Sequence, residues 1–387
     1  MAKYNFELVY MSDVRLSGRY ARAVQVLANA KQFHKILNSN FSFHVPEFDS
    51  DSIVDEEFIS CIKWIPLKFN SEKNRLNKLI FFLYAMFTCV RIKLKTQKSI
   101  IYSRNLFVVI LSSIMGVKSV WEMHDGLKGF YNSLLIRTVL RRLSKNLKIV
   151  TISAALKTYL IQQGIRQPAD VDVAHDAADV KSYDELRHVK KSDTRDRFAI
   201  PTDKKIIMHT GSIYEGRGAH LIEPIIRTFP EMHFVQVGGT EQNVNFWSKK
   251  YQSYKNITFI GHQKNRDLIL LQLSADILFY PITRNTPTYW CCSPMKIFEY
   301  LSSGIPIVAS NIGSVGEVLT NEVCYTYDPE DEETLIKQVR NLLDLGSNEQ
   351  NKRAVNGLKR VRDYYTWEVR VGKICDKLEF WYDSLKT

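Results

Sequence analysis

The sequence predicts an α/β protein of two domains, each with a doubly wound parallel sheet. The chain has 387 residues, which at roughly 150 residues per domain is too long for a single core. Short runs rich in β-branched and aromatic residues alternate with helical segments, a pattern typical of parallel strands joined by crossover helices. A polar stretch at residues 180–200 interrupts this alternation once, after which it starts again.

The first half of the chain contains five predicted strands with helices between them, at residues 6–10, 99–103, 119–124, 147–152 and 171–175. The second half contains six, at residues 204–211, 232–239, 257–262, 276–281, 306–310 and 324–328. We interpret the polar stretch as a linker. The predicted domains are therefore 1–185 and 186–365, and the aromatic end of a long helical stretch, 366–387, is expected to return to the N-terminal domain and pack across the junction.

Composition excludes several classes of protein. Apolar residues make up 45% and charged residues 24%, as in ordinary globular proteins, which excludes a disordered or fibrous chain. The longest uncharged apolar run, residues 79–90, is shorter than the roughly 20 residues that span a bilayer. The N-terminus lacks the apolar core of a secretory signal, so a cytoplasmic protein is expected. Six cysteines without metal-ligand spacing predict reduced thiols and no metal site.

Positive charge is concentrated in one region. Residues 58–150 contain 17 Lys and Arg but only 3 Asp and Glu, whereas residues 201–387 are balanced. Such an excess favours a polyanionic partner, either nucleic acid or an anionic membrane surface. The apolar residues of this region run together at 79–90 and no nucleic-acid-binding motif is present, which favours the membrane. The competing interpretation is that 79–90 forms a buried core helix with solvated charged margins.

The segment SPMKIFEYLSSGIPIVAS, residues 293–310, indicates an anion site. Ser293 is expected to cap a helix, with Pro294 at its first position. A helix that starts at the carboxyl end of a parallel strand presents free amides, here those of Met295 and Lys296, and the Lys296 side chain adds a full charge. Glu299 shares that helix face and could bind ribose hydroxyls. The alternative is a surface helix with a simple Lys296–Glu299 pair.

Together with four further stretches, this segment resembles the retaining glycosyltransferases of family 4, also called glycosyl transferases group 1. The stretches are HTGSIYEGRGAHLI (209–222), NITFIGHQKNRDLILLQLSADILFYP (256–281), GEVL (316–319) and YTWEVR (365–370). The resemblance is strongest over about 200–370. It implies the GT-B architecture, two facing Rossmann-like domains with a nucleotide-sugar held between them, mostly by the C-terminal domain.

The resemblance also implies roles for individual residues. Glu299 matches the second Glu of the family's E-x7-E motif, which binds the ribose. Met295 and Lys296 match the turn whose amides meet the diphosphate and the sugar. Arg217 matches the cation that neutralises the diphosphate leaving group. The first Glu of the motif is replaced by Cys291, as in a subset of the family that has SPxK before the second Glu.

Two glycine-containing turns are expected to contact the donor as well. Gly211 and Ser212 stand where the family frequently has Gly-Arg, which leaves Arg217 as the obvious cation of that pair. Gly261 and His262 match a loop that contacts the base through main-chain groups.

In the N-terminal half, Gly18 matches the family's glycine loop that faces the phosphates, and His124 matches a histidine that reaches the transferred sugar or the acceptor. The alternatives for His124 are a loop histidine bonded to Asp125 or a hydrogen-bonded core histidine. Arg104 also ends a strand and is expected to face the cleft between the two predicted domains. His175 and Asp176 are interpreted as a turn and not as a catalytic dyad.

The predicted function is therefore transfer of a hexosyl or deoxyhexosyl group, with retention, from a nucleoside diphosphate-sugar to a hydroxyl acceptor. The expected acceptor is a lipid-linked glycan of surface polysaccharide assembly, such as capsule, O-antigen or exopolysaccharide, at the inner face of the cytoplasmic membrane. No cofactor or obligatory metal is expected, because the Asp-x-Asp triplets at 49–51 and 170–172 do not sit at a strand's end. The alternatives are a non-catalytic GT-B scaffold or nucleotide-sugar-binding protein and a nucleic-acid binder.

Overall fold

The chain divides into two compact units, which are seen in a computed structural model. The first unit contains Met1–His175 and Trp367–Thr387, and the second contains Asp176–Thr366. The structure describes residues 4–16, 21–47, 56–67, 75–95, 98–212, 214, 217–345 and 347–383.

A parallel seven-stranded sheet forms the centre of the first unit, in the order β3-β2-β1-β4-β5-β6-β7. Its strands are β1 (Glu7–Met11), β2 (Phe41–Val45), β3 (Ile62–Trp64), β4 (Ser99–Ser103), β5 (Lys118–Met123), β6 (Leu147–Thr151) and β7 (Val171–Val173). Its helices are α1 (Ala21–Leu37), α2 (Glu56–Ile59), α3 (Arg75–Leu94), α4 (Leu106–Ile114), α5 (Leu134–Arg142), α6 (Ala154–Gln162) and, from the far end of the chain, α15 (Trp367–Asp383). The sequence predicted five of these strands. It missed β2, which lies beside β1, and the three-residue edge strand β3, which is too short for a pattern to develop.

The second unit has a parallel six-stranded sheet, in the order β10-β9-β8-β11-β12-β13. Its strands are β8 (Ile206–Thr210), β9 (His233–Val237), β10 (Ile257–Ile260), β11 (Ile277–Tyr280), β12 (Ile307–Ser310) and β13 (Tyr325–Tyr327). Its helices are α7 (Val180–Leu186), α8 (Lys191–Arg197), α9 (Ile222–Thr228), α10 (Glu241–Lys250), α11 (Asn265–Ser274), α12 (Met295–Ser303), α13 (Glu332–Asp344) and α14 (Ser347–Tyr364). All six predicted strands are confirmed.

In both sheets the strand order reverses once, between β1 and β4 in the first unit and between β8 and β11 in the second. Open α/β sheets bind ligands at the carboxyl ends of the strands beside such a switch point. In the second unit, Gly211 follows β8 and the loop that leads to α12 follows β11. The predicted anion site therefore lies at the switch point of its sheet.

The predicted linker at 180–200 is wrong, because this segment folds as α7 and α8 on the second unit. Val180, Tyr183 and Leu186 are buried on one side of α7, a helical spacing that the many charges of the segment obscure. Arg187 donates from Nη1 to the carbonyl of Ser303 at 2.5 Å and so caps the end of α12. The boundary between the units accordingly falls after His175, ten residues before the predicted one.

The predicted terminal helix is two helices that belong to different units. α14 lies in the second unit, whereas α15 lies in the first and contributes Val371, Ile374 and Leu378 to the core around Tyr10 and Phe33. No described helix combines the length and the hydrophobicity needed to cross a membrane.

The long helix α3 has two different apolar faces. Phe81, Ala85, Cys89 and Ile92 recur at helical spacing and are buried in a core with β1 and β4. The opposite side, which we call the α3 outer face, exposes large apolar residues at the same spacing: Leu76, Leu79, Phe82, Leu83, Met86, Phe87, Val90 and Leu94. Only one face of the helix formed by residues 79–90 is thus part of the core.

Candidate functional site

The helix of the predicted anion site begins one residue later than expected. Pro294 has an extended conformation, with ψ of 125°, and serves as the N-cap, so α12 starts at Met295. The predicted Ser293 cap is wrong, because the Ser293 hydroxyl accepts a hydrogen bond from the amide of Asp176 at 2.8 Å instead. The amides of Met295 and Lys296 are the first two of the helix. The helix start therefore still offers amide donors to an anion.

Lys296 extends from this first turn to the end of β8. Its Nζ lies 3.3 Å from Nε2 of His209 and 5.9 Å from the ring centroid of Tyr280. Gly211 has φ of +126°, and a Cβ at this position would overlap Nζ. Burial and the nearby charge of Arg217 lower the pKa of Lys296 to about 7, while Glu299 opposes the shift. An approaching anion would favour the charged ammonium.

Arg217 lies at the mouth of the same site. Its guanidinium carbon is 5.2 Å from the ring centroid of Tyr214, and its side chain is exposed. The next residue, Gly218, has φ of +74°, and a Cβ there would overlap the carbonyl oxygen of Pro281, at the end of β11. Because only glycine allows this close approach, the backbone holds Arg217 beside the switch point. In the described part of the chain, no carboxylate forms an ion pair with Arg217.

Glu299 lies one turn further along α12. Burial raises the pKa of its carboxyl, and Lys296 and a hydrogen bond with Gln272 work against this rise. Gln272 is itself held in place: its Nε2 donates to Thr210 Oγ1 at 3.0 Å, and its Oε1 accepts from the Tyr183 hydroxyl. The structure thus places Arg217, Lys296 and Glu299 around the end of β8, in an arrangement that offers two cations and a hydrogen-bonding carboxyl.

The remaining predicted donor contacts of this unit lie along the same sheet edge. Ser212 follows Gly211 directly, at the start of the loop after β8. Gly261 and His262 follow β10, the edge strand, which is separated from β8 by β9. His262 is exposed. A ligand that reached both Lys296 and His262 would have to extend across two strands.

Cys291 stands where the first Glu of the family motif would be. Its side chain is fully buried. A thiol cannot supply the carboxylate oxygens of the family motif, so residue 291 does not replace that group.

In the first unit, His124 follows β5 and belongs to a buried network. Its Nε2 lies 2.6 Å from Oε1 of Glu122, and Tyr102 donates to the other oxygen of Glu122 at 2.5 Å. Burial lowers the pKa of His124 to about 3, helped by Arg104 and opposed by Glu122. A neutral imidazole that donates from Nε2 leaves Nδ1 as an acceptor. The alternative partner Asp125 is engaged elsewhere, with Lys128.

The other candidates from the N-terminal half of the chain have structural partners or are not described. Arg104 donates to Oε1 of Gln25 at 2.7 Å. The carbonyl of His175 accepts from Arg370 at 2.9 Å and the amide of Asp176 donates to Ser293. The predicted turn is not formed, because these residues lie in an irregular segment after β7. Gly18 lies outside the described residues.

Sequence reasoning missed several buried polar residues: His209, Gln236 and Gln272, near the predicted site residues of the second unit, and Glu122 and Arg370, near His124 of the first unit. A signal for the strand residues was present, since His209, Gln236 and Glu122 are polar residues beside apolar ones within the strands β8, β9 and β5. His209 and Gln236 are direct register partners on β8 and β9. Among the described residues, no group of three His, Cys, Asp or Glu side chains is arranged to hold a metal ion.

Residues 190–360 match the family model described as "Glycosyl transferases group 1". YtcC of Bacillus subtilis (strain 168), a protein named as a glycosyltransferase, is 25% identical to this chain over 190 residues. The aligned residues are 45% of this chain and 46% of YtcC. The chain thus matches just under half the length of this relative.

Two solved structures are similar along nearly the whole chain. A glycosyltransferase from Rickettsia africae ESF-5 has a TM-score of 0.76 at 15% identity and covers 99% of both chains. Anabaena Alr3699/HepE, solved in complex with UDP and glucose, has a TM-score of 0.69 at 16% identity and covers 96% of this chain and 99% of its own. Residues 190–360 thus match the glycosyl transferases group 1 model, and the chain has the GT-B fold of two Rossmann-like domains that the resemblance found in the sequence implied.

Proposed function

We propose that this protein is a glycosyltransferase that moves a sugar from a nucleoside diphosphate-sugar to a hydroxyl acceptor. The observation that carries the proposal is the arrangement around Gly211, where the Lys296 ammonium, the Arg217 guanidinium and the first amides of α12 surround one strand end inside the matched domain. Fixed cations and helix-end amides are the groups that stabilise a diphosphate.

In the proposed step, the bond between the anomeric carbon and the diphosphate oxygen breaks, and the acceptor oxygen bonds to that carbon. The acceptor's hydroxyl proton passes to an oxygen of the departing diphosphate. Negative charge grows on the diphosphate during this step, and Lys296 and Arg217 stabilise it. Attack from the face that the diphosphate leaves would retain the anomeric configuration.

Two further residues are proposed to contact the substrates. The Glu299 carboxyl, held by Gln272, is proposed to bind the ribose hydroxyls. His124 is proposed to accept a hydrogen bond at Nδ1 from a hydroxyl of the transferred sugar or of the acceptor, because its Nε2 is already committed to Glu122. Since HepE was solved with UDP and glucose, a hexose or a deoxyhexose is the sugar class that we propose.

We further propose that the protein acts at an anionic membrane surface on a lipid-linked glycan acceptor, as in assembly of a surface polysaccharide. The support is the α3 outer face, whose Phe87 is 60% and Leu94 82% exposed. Lys78, Arg91 and Lys93 are exposed on the same helix. Apolar side chains flanked by cations are typical of helices that lie in a membrane interface. At about 1 kcal/mol for each cation near anionic lipid, these three contribute about 3 kcal/mol in addition to the insertion of the apolar side chains.

The burial of Cys291 favours a second candidate, a protein that binds a nucleotide-sugar without transferring it. One experiment separates the two functions. The purified protein is mixed with a panel of nucleoside diphosphate-sugars, and release of the nucleoside diphosphate is measured with and without a membrane glycolipid extract. Turnover of at least one donor supports the transferase, whereas saturable binding without turnover supports the second candidate.

A further inference from the structure

Beneath Lys296 lies a hydrogen-bonded network of two buried polar side chains, which we call the His209–Gln236 network. His209 is on β8 and Gln236 is its direct register partner on β9. Nδ1 of His209 lies 2.7 Å from Oε1 of Gln236, and Nε2 lies 3.3 Å from Nζ of Lys296. Both side chains are buried. Buried polar groups need such partners, so the His209–Gln236 network is an ordered feature of the site.

The hydrogen bonds determine where the protons are. Nε2 of Gln236 donates to the carbonyl oxygens of Gly211 at 2.8 Å and of Val237 at 3.2 Å, so its Oε1 faces His209. The partner atom, Nδ1 of His209, must therefore be the N–H. Burial keeps the pKa of His209 well below its usual value, so the ring stays neutral and Nε2 has a free lone pair. Only a donor, here the amine of Lys296, can satisfy that lone pair.

The His209–Gln236 network also confines the Lys296 amine from a second side. Gln236 binds the carbonyl of Gly211, and Nζ of Lys296 occupies the space that a side chain at Gly211 would fill. The amine is therefore held between an acceptor nitrogen and a glycine backbone whose own position depends on Gln236.

We propose that His209 and Gln236 are positioning residues that hold the Lys296 ammonium with one N–H on His209 and its other N–H groups free for the diphosphate. The inference rests on the proposed function of Lys296. Neither residue touches the donor in this scheme. They act through the lysine, by keeping its amine protonated and in place.

This arrangement predicts a change in pH dependence. Lys296 is faced by Arg217 from the loop after β8, by Glu299 on its own helix, by His209 from β8 and by the Tyr280 ring from β11. The protonated lysine is the active form, so donor turnover falls as pH rises through its pKa. A hydrogen bond to His209 favours the protonated form. Loss of that bond must therefore move the alkaline decline to lower pH.

The kinetic test compares three variants with the native protein over pH 6–10. His209→Phe removes the acceptor and is expected to lower kcat at least tenfold, with little change in the KM of the donor, and to move the alkaline decline to lower pH. His209→Gln keeps an acceptor oxygen and should recover most of the activity. His233→Phe is the matched control, since His233 is a buried sheet histidine at the other end of β9, bonded to Thr258.

A measurement on the protein without donor separates this proposal from the proposed function. The rate at which acetic anhydride labels Lys296 is followed by mass spectrometry as a function of pH, which gives the pKa of Lys296. The pKa must fall in His209→Phe and return in His209→Gln, whether or not any donor is turned over. If His209→Phe does not fold, Gln236→Met carries the same test. Without the Gln236 oxygen, the His209 proton is no longer fixed on Nδ1, so Nε2 is no longer held as an acceptor for Lys296. An unchanged labelling pKa, or an unchanged pH profile with kcat within twofold, would overturn the proposal.

Discussion

The guanidinium of Arg370 donates to Oε1 of Glu122 at 3.1 Å, across 248 positions of the sequence. Only 2% of the Arg370 side chain and none of the Glu122 side chain is exposed. Arg370 also donates to Oδ1 of Asn29 at 2.5 Å. Burial opposes ionisation of Glu122, but Arg370 and the hydrogen bond with His124 outweigh it and hold its pKa well below the usual range. The final helix is thus joined to the first unit through the carboxylate that orients His124.

Replacing Arg370 by methionine should destabilise the protein by about 3–5 kcal/mol, because it leaves the Glu122 carboxylate buried without its cation. Urea unfolding measures this loss. Lys377→Met is the control, since Lys377 is exposed on the same helix and its change should stay within about 0.5 kcal/mol. Equal stability of the two variants would show that the pair does not hold α15 in place.

Glu299→Ala and Arg217→Ala should each lower donor turnover at least tenfold while the melting temperature stays near that of the native protein. Tenfold corresponds to about 1.4 kcal/mol, which is slightly less than the loss of one hydrogen bond to a charged group commonly costs. Steady-state kinetics with the donor found in the panel give the comparison, and Arg266→Ala, at an exposed arginine on α11, is the control. Near-normal kinetics in both site variants would remove the assignment of the site.

Transfer should need no divalent ion, because Arg217 and Lys296 can supply the positive charge that a metal would otherwise bring to the diphosphate. Turnover is measured in excess chelator and again after Mg²⁺ or Mn²⁺ is added back. Activity that disappears with the chelator and returns with the metal would refute the cationic stabilisation of the leaving group.

Phe87→Ser should weaken binding to anionic vesicles severalfold, because it removes a large apolar side chain from the α3 outer face. Phe246→Ser is the matched control, since Phe246 is 62% exposed and Phe87 60%, but Phe246 lies on α10 of the second unit. Sedimentation with vesicles of mixed neutral and anionic lipid measures binding, which should also weaken with salt. Equal binding to purely neutral vesicles, or equal loss in both variants, would contradict the membrane proposal and return nucleic acid to consideration.

Stability should fall as pH drops from 7 toward 5. Burial lowers the pKa of His44 and of His124 to about 3, so the unfolded chain binds protons between pH 6.5 and 3 that the folded chain does not. Each such histidine contributes about 1.4 kcal/mol per pH unit once the unfolded form is protonated. Unfolding free energies in urea at several pH values should show at least this slope, and His44→Gln should reduce it. A flat profile would mean that these rings are protonated in the folded protein.

Much of the second unit was predictable because its signals are local. Each of its six strands is a short apolar run, and the helix from Met295 to Ser303 is bounded by Pro294 and Gly304, which act on the backbone of their immediate neighbours. Lys296 and Glu299 share a helix face by spacing alone. The errors arose where a local signal was ambiguous: the charges of 180–200 suggested a linker, although Val180 is buried in the core beside the sheet and Tyr183 is buried against α11.

The sequence by itself determined the two α/β units, the concentration of positive charge at 58–150 and the start of a helix beside Met295 and Lys296, since each depends on residues close together in the chain. Only the tertiary structure decided that His209 and Gln236 hold Lys296, that Arg370 of the last helix neutralises Glu122, and that one face of α3 remains exposed. These contacts join residues 27 to 248 positions apart. Which polar residues of two buried strands meet is set by sheet register and helix packing, which no local pattern in a single sequence specifies.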